Sequence, residues 1–262
     1  MEIHGVPCTV AALSEEERIV EIRLESDQEK SILGNIYTGQ VENIASNIQA
    51  AFVQIEPGKR CYYSLAEAQR AVFSAGRKGN GPLRPELLVQ VSRDAMKGKL
   101  PALTSNLNFT GRYLVLTTGD KKFGLSSKLA LEDRHRLSGW LKEEAERPDK
   151  EFGIIVRTNA ADASKEEILK ELEWLKGRYH KAVVQGRNRT CFSLVLETEP
   201  FYVAAVRDAY GRDLDEIITD VPEIREMILG YLEEISPELK EKLRFYQDKL
   251  LPLYKLYRVE TA

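Results

Sequence analysis

The first 110 residues alternate apolar and polar positions with the period of two that marks strands with one buried face. Residues 7–12 and 18–24 form a first pair, separated by the polar turn Ser14-Glu15-Glu16-Glu17. Further strand patterns follow at 33–44, 49–56, 60–65, 86–93 and 100–105, with turn signals between them. Five short strands over that span predict a small barrel rather than a helical bundle. The Gly-rich basic stretch 73–84 reads as a loop between two of them. Past residue 110 the period changes. Strands are expected at 112–116, 151–156, 191–196 and 216–219. Residues 130–147 place Leu131, Leu137 and Leu141 on one helical face, and Pro148 ends the run. Ser164-Lys165-Glu166-Glu167 is a capping box ahead of the apolar stripe Ile168, Leu172 and Leu175. Helices are also expected over 200–211, from Pro222 to about residue 234, and from Pro237 to about residue 245. The class is mixed α and β, with a barrel inserted between an N-terminal hairpin and later α/β material. No internal repeat of useful length is present.

Composition narrows the picture. Of the 262 residues, 43% are hydrophobic and 30% charged, which excludes a disordered or fibrous chain. The longest clean apolar run, Phe201 to Val206, is far short of the ~20 residues of a membrane span. The N-terminus Met1-Glu2-Ile3-His4 has no basic region followed by an apolar core, so no secretory signal is expected. Cys8, Cys61 and Cys191 lie far apart, and the three His residues complete no zinc pattern. A reducing, cytoplasmic setting is expected. The formal net charge of −3 hides an asymmetry, because residues 51–128 hold 13 basic and five acidic residues. That window carries +8 against −11 elsewhere, the signature of a face that attracts a polyanion or of a plain solvated surface.

Three stretches carry most of the specific information. The first is Gly34-Asn35-Ile36-Tyr37-Thr38-Gly39-Gln40-Val41-Glu42-Asn43-Ile44, followed by Gln49-Ala50-Ala51-Phe52-Val53-Gln54-Ile55. The second is Val89-Gln90-Val91-Ser92-Arg93-Asp94, then Lys99 and Leu103-Thr104-Ser105. The third is Ile155-Val156-Arg157-Thr158-Asn159-Ala160. In this order they resemble the ribonuclease E/G family from about residue 33 to the end of the chain, in a form similar to its Gram-positive, clostridial-type branch. The resemblance implies a domain plan. Residues 34–110 would be an S-one type OB-fold RNA-binding barrel, and 111–190 a sensor of an RNA 5′-monophosphate. Residues 1–33 and 191–262 would together form an RNase H-like subdomain.

The resemblance also implies roles. An OB barrel binds single strands by stacking bases on aromatic rings beside a cationic groove. Phe52 falls at the family's stacking position, the alternative being a place in the barrel core. Tyr62 falls at a second aromatic position, and Tyr63 beside it would face the other way, so at most one of the two can stack. Arg93 and Lys99 match lysines that contact the RNA backbone. Arg157 and Thr158, with the backbone near Gly111 and Val115, match the cradle of the 5′-monophosphate. An Arg fork and a Thr hydroxyl suit a terminal phosphate; the alternative for Arg157 is a carboxylate partner. One departure is Ser127, which stands where the family has Arg, and Lys128 next to it can supply the lost charge.

The family cleaves RNA with two aspartates that hold magnesium. No segment here resembles theirs, and the chain reaches Ala262 at about the point where that region begins. Asp208, Asp213, Asp215 and Asp220 sit in ordinary helix and turn contexts. The expectation is therefore a chain with no catalytic residue and no metal site of its own, binding single-stranded RNA with a 5′-monophosphate, monomeric and without a membrane partner. Magnesium is implied for the full-length family enzyme. The alternative is a stand-alone RNA-binding or regulatory protein without nuclease activity.

Overall fold

The computed structural model describes every residue except 29, 74–84, 210–213, 249 and 262. The chain forms two compact units, one of 1–31 with 199–262 and one of 32–198. The larger part of the Gly-rich loop, 74–84, and Asp213 lie outside the described residues.

In the discontinuous unit, β1 (Glu2–Ile3), β2 (Val6–Glu15) and β3 (Arg18–Ser26) form an antiparallel sheet. Both turns are two-residue reversals with positive φ at each central residue: His4 and Gly5 at 50° and 78°, Glu16 and Glu17 at 47° and 62°. Such turns match the strand twist.

The larger unit begins with the barrel. Its strands are β4 (Ile36–Ala45), β5 (Ala50–Glu56), β6 (Lys59–Ser64), β7 (Val72–Phe73), β8 (Glu86–Arg93) and β9 (Ala102–Thr104). The order β4-β5-β6-β9-β8 closes through a β8–β4 ladder, and β7 adds to β8 outside the ring. All ring pairs are antiparallel except β6 with β9. This closed five-strand barrel is consistent with an OB fold. Its interior holds Tyr37, Val53, Ile55, Tyr63, Leu87, Val89, Val91 and Leu103. Gly39 sits where β4 is squeezed between two neighbours: a Cβ there would lie 2.7 Å from Val53 Cγ1 and 3.1 Å from Val89 Cγ2.

A second sheet follows in the same unit, with β10 (Asn108–Thr110), β11 (Leu114–Thr117), β12 (Phe123–Leu125) and β13 (Gly153–Val156). The order is β10-β11-β13-β12, with β12 and β13 parallel. The single helix expected over 130–147 is instead α1 (Leu131–Trp140) and α2 (Lys142–Glu146). The break is at Leu141, whose φ of −102° leaves the helical region while its side chain is fully buried. The capping box forms as the sequence predicts: Glu167 N–H donates to Ser164 Oγ, and Ser164 N–H donates to the Glu167 carboxylate at 2.7 Å. It opens α3 (Lys165–His180), which lays Ile168, Leu172, Leu175 and Tyr179 on the sheet. Ile36 and Leu88 of the barrel belong to this same core, and β14 (Leu194–Leu196) returns to pair with β4. Gln90 ties barrel to sheet: its Nε2 donates to Gly34 O at 2.8 Å and Asn108 O at 3.0 Å, and its Oε1 accepts from Asn108 N–H at 2.7 Å.

The remainder of the first unit holds α4 (Phe201–Asp208), β15 (Ile217–Thr219), α5 (Pro222–Ile235), β16 (Leu243–Phe245) and α6 (Leu253–Leu256). Pro222 opens α5 at a position where its missing N–H costs nothing. The helix expected from Pro237 to about 245 does not form. A 3-10 turn, Pro237–Lys242, gives way to β16, which pairs in parallel with β15. Pairing of Leu243 with Ile217 outweighs the local helical preference of the stretch. Val203, Ile217, Ile228, Leu232 and Leu239 form this unit's core. Among the described residues, no helix is long and apolar enough to cross a membrane.

Candidate nucleic-acid interface

The barrel sorts its aromatic residues by strand alternation. Ala51, Val53 and Ile55 of β5 point inward, which turns Phe52 outward, half-buried and outside the core cluster. On β6, Cys61 and Tyr63 point inward and Tyr62, 36% exposed, points outward. Tyr63 is fixed inside by a 2.7 Å hydrogen bond between its hydroxyl and Ser105 Oγ, and burial pushes its phenol up to about 12. Phe52 is the register partner of Tyr62, Tyr62 of Ala102, and Ala102 of Arg93. Register partners share a face, so Phe52, Tyr62 and Arg93 stand along one row across β5, β6, β9 and β8.

Arg60 extends this row's chemistry. Its guanidinium lies 5.5 Å from the Phe52 ring centroid and donates through Nε to Glu42 at 2.8 Å. That pairing holds the Glu42 carboxyl below its usual range. Lys99 is exposed but off the row, in the two-residue reversal Met96 to Lys99, where Lys97 and Gly98 have φ of 39° and 80°.

The second group gathers at the C-terminal end of β13. Arg157 turns toward β11: its N–H donates to Tyr113 O at 2.7 Å and its Nη1 to Gly111 O at 2.6 Å. Thr158 turns toward β12, its Oγ1 2.9 Å from Ser126 Oγ. Lys128 follows two residues later with an exposed side chain, and its N–H donates to Ser126 Oγ at 3.3 Å. Arg134 of α1 donates from Nη1 to Ser126 O at 3.1 Å. Gly111 is buried, with its N–H donating to Leu114 O at 2.8 Å. Val115 lies in mid-strand, paired with Thr110 on one side and Ile155 on the other. The structure thus brings Gly111, Arg157, Thr158 and Lys128 to one strand end and leaves Val115 within the sheet behind them.

Glu171 organises the β11 side. This α3 residue is 2% exposed, and its carboxylate accepts the N–H groups of Arg112, Tyr113 and Leu114 at 2.8, 2.7 and 2.8 Å. Three successive amides make a concavity suited to an anion, and here the chain fills it itself. Burial pushes the Glu171 carboxyl up, opposed by the three amides and the Arg157 charge. A Cβ on Gly111 would lie 2.4 Å from Glu171 Oε1, so glycine is what lets the carboxylate approach. Sequence reading passed over Glu171, although an acidic residue between Ile168 and Leu172 on an apolar stripe is the signal that marks it.

Among the described residues, no three His, Cys, Asp or Glu side chains gather as a metal-ligand set. Asp208 is paired with Arg23 at 3.5 Å and with Arg207 at 3.1 Å.

Comparison with known proteins gives the family. Residues 108–262 match the model of the ribonuclease E/G family. Ribonuclease E of Haemophilus influenzae is 27% identical over 259 residues, covering 95% of this chain and 27% of the relative. Ribonuclease E of Escherichia coli K12 is 26% identical over 262 residues, 95% of this chain and 24% of the relative. Ribonuclease G of Escherichia coli K12 is 29% identical over 259 residues, 92% of this chain and 51% of the relative. The chain therefore spans about a quarter of the ribonuclease E relatives and half of the ribonuclease G relatives that it matches. With the family model covering more than half of its residues, the chain belongs to the ribonuclease E/G family.

Proposed function

We propose that this chain is the RNA-binding and 5′-end-sensing portion of an endoribonuclease that processes or degrades single-stranded RNA in the cytoplasm. On this reading the barrel is an S-one type domain. Phe52 and Tyr62 stack two bases, and Arg93 and Lys99 neutralise backbone phosphates beside them. Base stacking on an aromatic ring is worth ~1–3 kcal/mol per base and tolerates any sequence. The strand end of β13 receives the terminal phosphate. The discontinuous unit, residues 1–31 with 199–262, forms the RNase H-like subdomain, a structural rather than a catalytic element. The chain binds RNA as a monomer on this reading, and hydrolysis belongs to a magnesium-holding aspartate pair that no stretch of this chain resembles.

The observation that carries the reading is the divergence of Arg157 and Thr158. Adjacent residues reach Gly111 O at 2.6 Å and Ser126 Oγ at 2.9 Å. A guanidinium and two hydroxyls are thereby held by the chain's own contacts on either side of one strand end. An oxyanion fits such a set through charge-assisted hydrogen bonds.

The test uses a short single-stranded RNA with either a 5′-monophosphate or a 5′-hydroxyl. Fluorescence anisotropy should show tighter binding of the monophosphate, and gel analysis with magnesium should show both RNAs intact. Equal affinity for the two ends would remove the sensor and leave a general RNA-binding barrel. Magnesium-dependent cleavage by the pure chain would remove the division of labour.

A further inference from the structure

We propose that Arg134 is a second phosphate-binding cation of this site, acting from the wall opposite Arg157. The proposal rests on the 5′-monophosphate reading. Arg134 is the fourth residue of α1 and is half-buried. Its Nη1 donates to Ser126 O at 3.1 Å, and Ser126 Oγ lies 2.9 Å from Thr158 Oγ1. The guanidinium is thus fastened to the residue whose hydroxyl meets Thr158. Among the described residues, no carboxylate pairs with it. Arg136, two residues on, shows the contrast: it pairs with Asp133 at 2.8 Å and lies 5.4 Å from the Trp140 ring.

A guanidinium carries five N–H donors in a fixed fork. One bond to the Ser126 carbonyl orients the group and leaves donors for an oxyanion. Lys128 is placed less well: its side chain is exposed, and no contact fixes its ammonium among the described residues. Ordering a flexible lysine stem costs rotamer entropy that a pre-fastened arginine has already lost. A terminal phosphate ester carries close to two charges at neutral pH, whereas an internal phosphodiester carries one. Two guanidinium groups, Arg157 on the β11 side and Arg134 on the β12 side, match the terminal group. Paired cations thereby convert a general phosphate site into one that selects a chain end.

The experiment measures Kd by fluorescence anisotropy for a 3′-labelled single-stranded RNA with a 5′-monophosphate or a 5′-hydroxyl. The proteins are wild type, R157A, R134Q, K128Q and the double variant S127R/R134Q. Arg134→Gln should narrow the preference for the monophosphate by roughly tenfold, the size of a hydrogen bond to a charged group, and leave hydroxyl RNA unchanged. Lys128→Gln should change the preference by less than about threefold, as an exposed, unordered charge would. An arginine at position 127, an exposed neighbour of Ser126, should restore the preference in the Arg134→Gln background. That rescue separates charge supply from mere bracing of the Ser126 carbonyl. A wild-type preference in R134Q, alongside its loss in R157A, would overturn the proposal and spare the sensor. Equal weakening of both RNAs in R134Q would overturn it as a fold defect. Equal affinities in the wild type would remove the sensor and this assignment together.

Discussion

Arg157 and Thr158 are neighbours in sequence yet serve opposite walls, because β13 has an antiparallel strand on one side and a parallel strand on the other. Glu171 makes the Arg157 wall rigid, since it occupies the amides of 112–114 whose carbonyl side orients Arg157. Glu171→Ala leaves three buried amides without an acceptor. Each such group costs about 1–3 kcal/mol, so urea unfolding should show a loss of at least about 3 kcal/mol. A loss under 1 kcal/mol would contradict the bracing role. Cys61 gives a second residue-level expectation. Burial pushes its thiol up to about 11 from an ordinary 9.0. The unfolded chain releases this proton first, so Cys61 lowers stability as the pH rises from about 9 toward about 11. Native-state alkylation at pH 8 should modify the half-buried Cys191 and spare the fully buried Cys61; labelling of Cys61 at the Cys191 rate would contradict its burial.

At the scale of elements, local signals were legible where local forces decide. The alternation in Ala50-Ala51-Phe52-Val53 and Arg60-Cys61-Tyr62-Tyr63 sets neighbours on opposite faces, and closure of the barrel decides that Val53 and Tyr63 are the ones turned inward. The capping box at Ser164 and Glu167 is likewise written in four consecutive residues. Ser164→Ala should cost about 1 kcal/mol in thermal or urea unfolding. An unchanged midpoint would mean that α3 is held by packing alone. What escaped sequence reading depends on distant partners. Residues 243–245 become a strand only because β15 offers a ladder, and Glu171 meets amides 57 to 59 residues away. The row Phe52, Tyr62, Arg93 is set by the crossing of β6, β9 and β8, which no single stretch encodes. The Glu16-Glu17 turn is a third element-level case. Non-glycine residues pay about 1–2 kcal/mol each in the left-handed region. Replacing the pair by Asn-Gly should therefore raise the melting temperature of the hairpin's unit, and a lower melting temperature would contradict the turn geometry.

On the scale of the whole molecule, the larger unit joins barrel and second sheet through one core and through Gln90. The two surfaces proposed to bind RNA thus belong to one folded body of residues 32–198. The account assigns them separable tasks. On the proposed function, the barrel row would supply affinity for single-stranded RNA whatever its 5′ end, and the strand end of β13 would supply preference for a terminal phosphate. Because both tasks use cations, binding should weaken steeply with salt, with a log–log slope of about −0.7 for each phosphate neutralised. A salt-independent affinity would contradict the phosphate contacts proposed for Arg93, Lys99 and Arg157.

The most direct measurement sets Phe52→Ala against Arg157→Ala, reading Kd for the same RNA with a 5′-monophosphate and a 5′-hydroxyl. Phe52→Ala should weaken both RNAs by a similar factor and keep their ratio, whereas Arg157→Ala should collapse the ratio and leave hydroxyl RNA unchanged. If Phe52→Ala removes the preference, or if Arg157→Ala weakens both RNAs alike, the two surfaces do not divide the work as described.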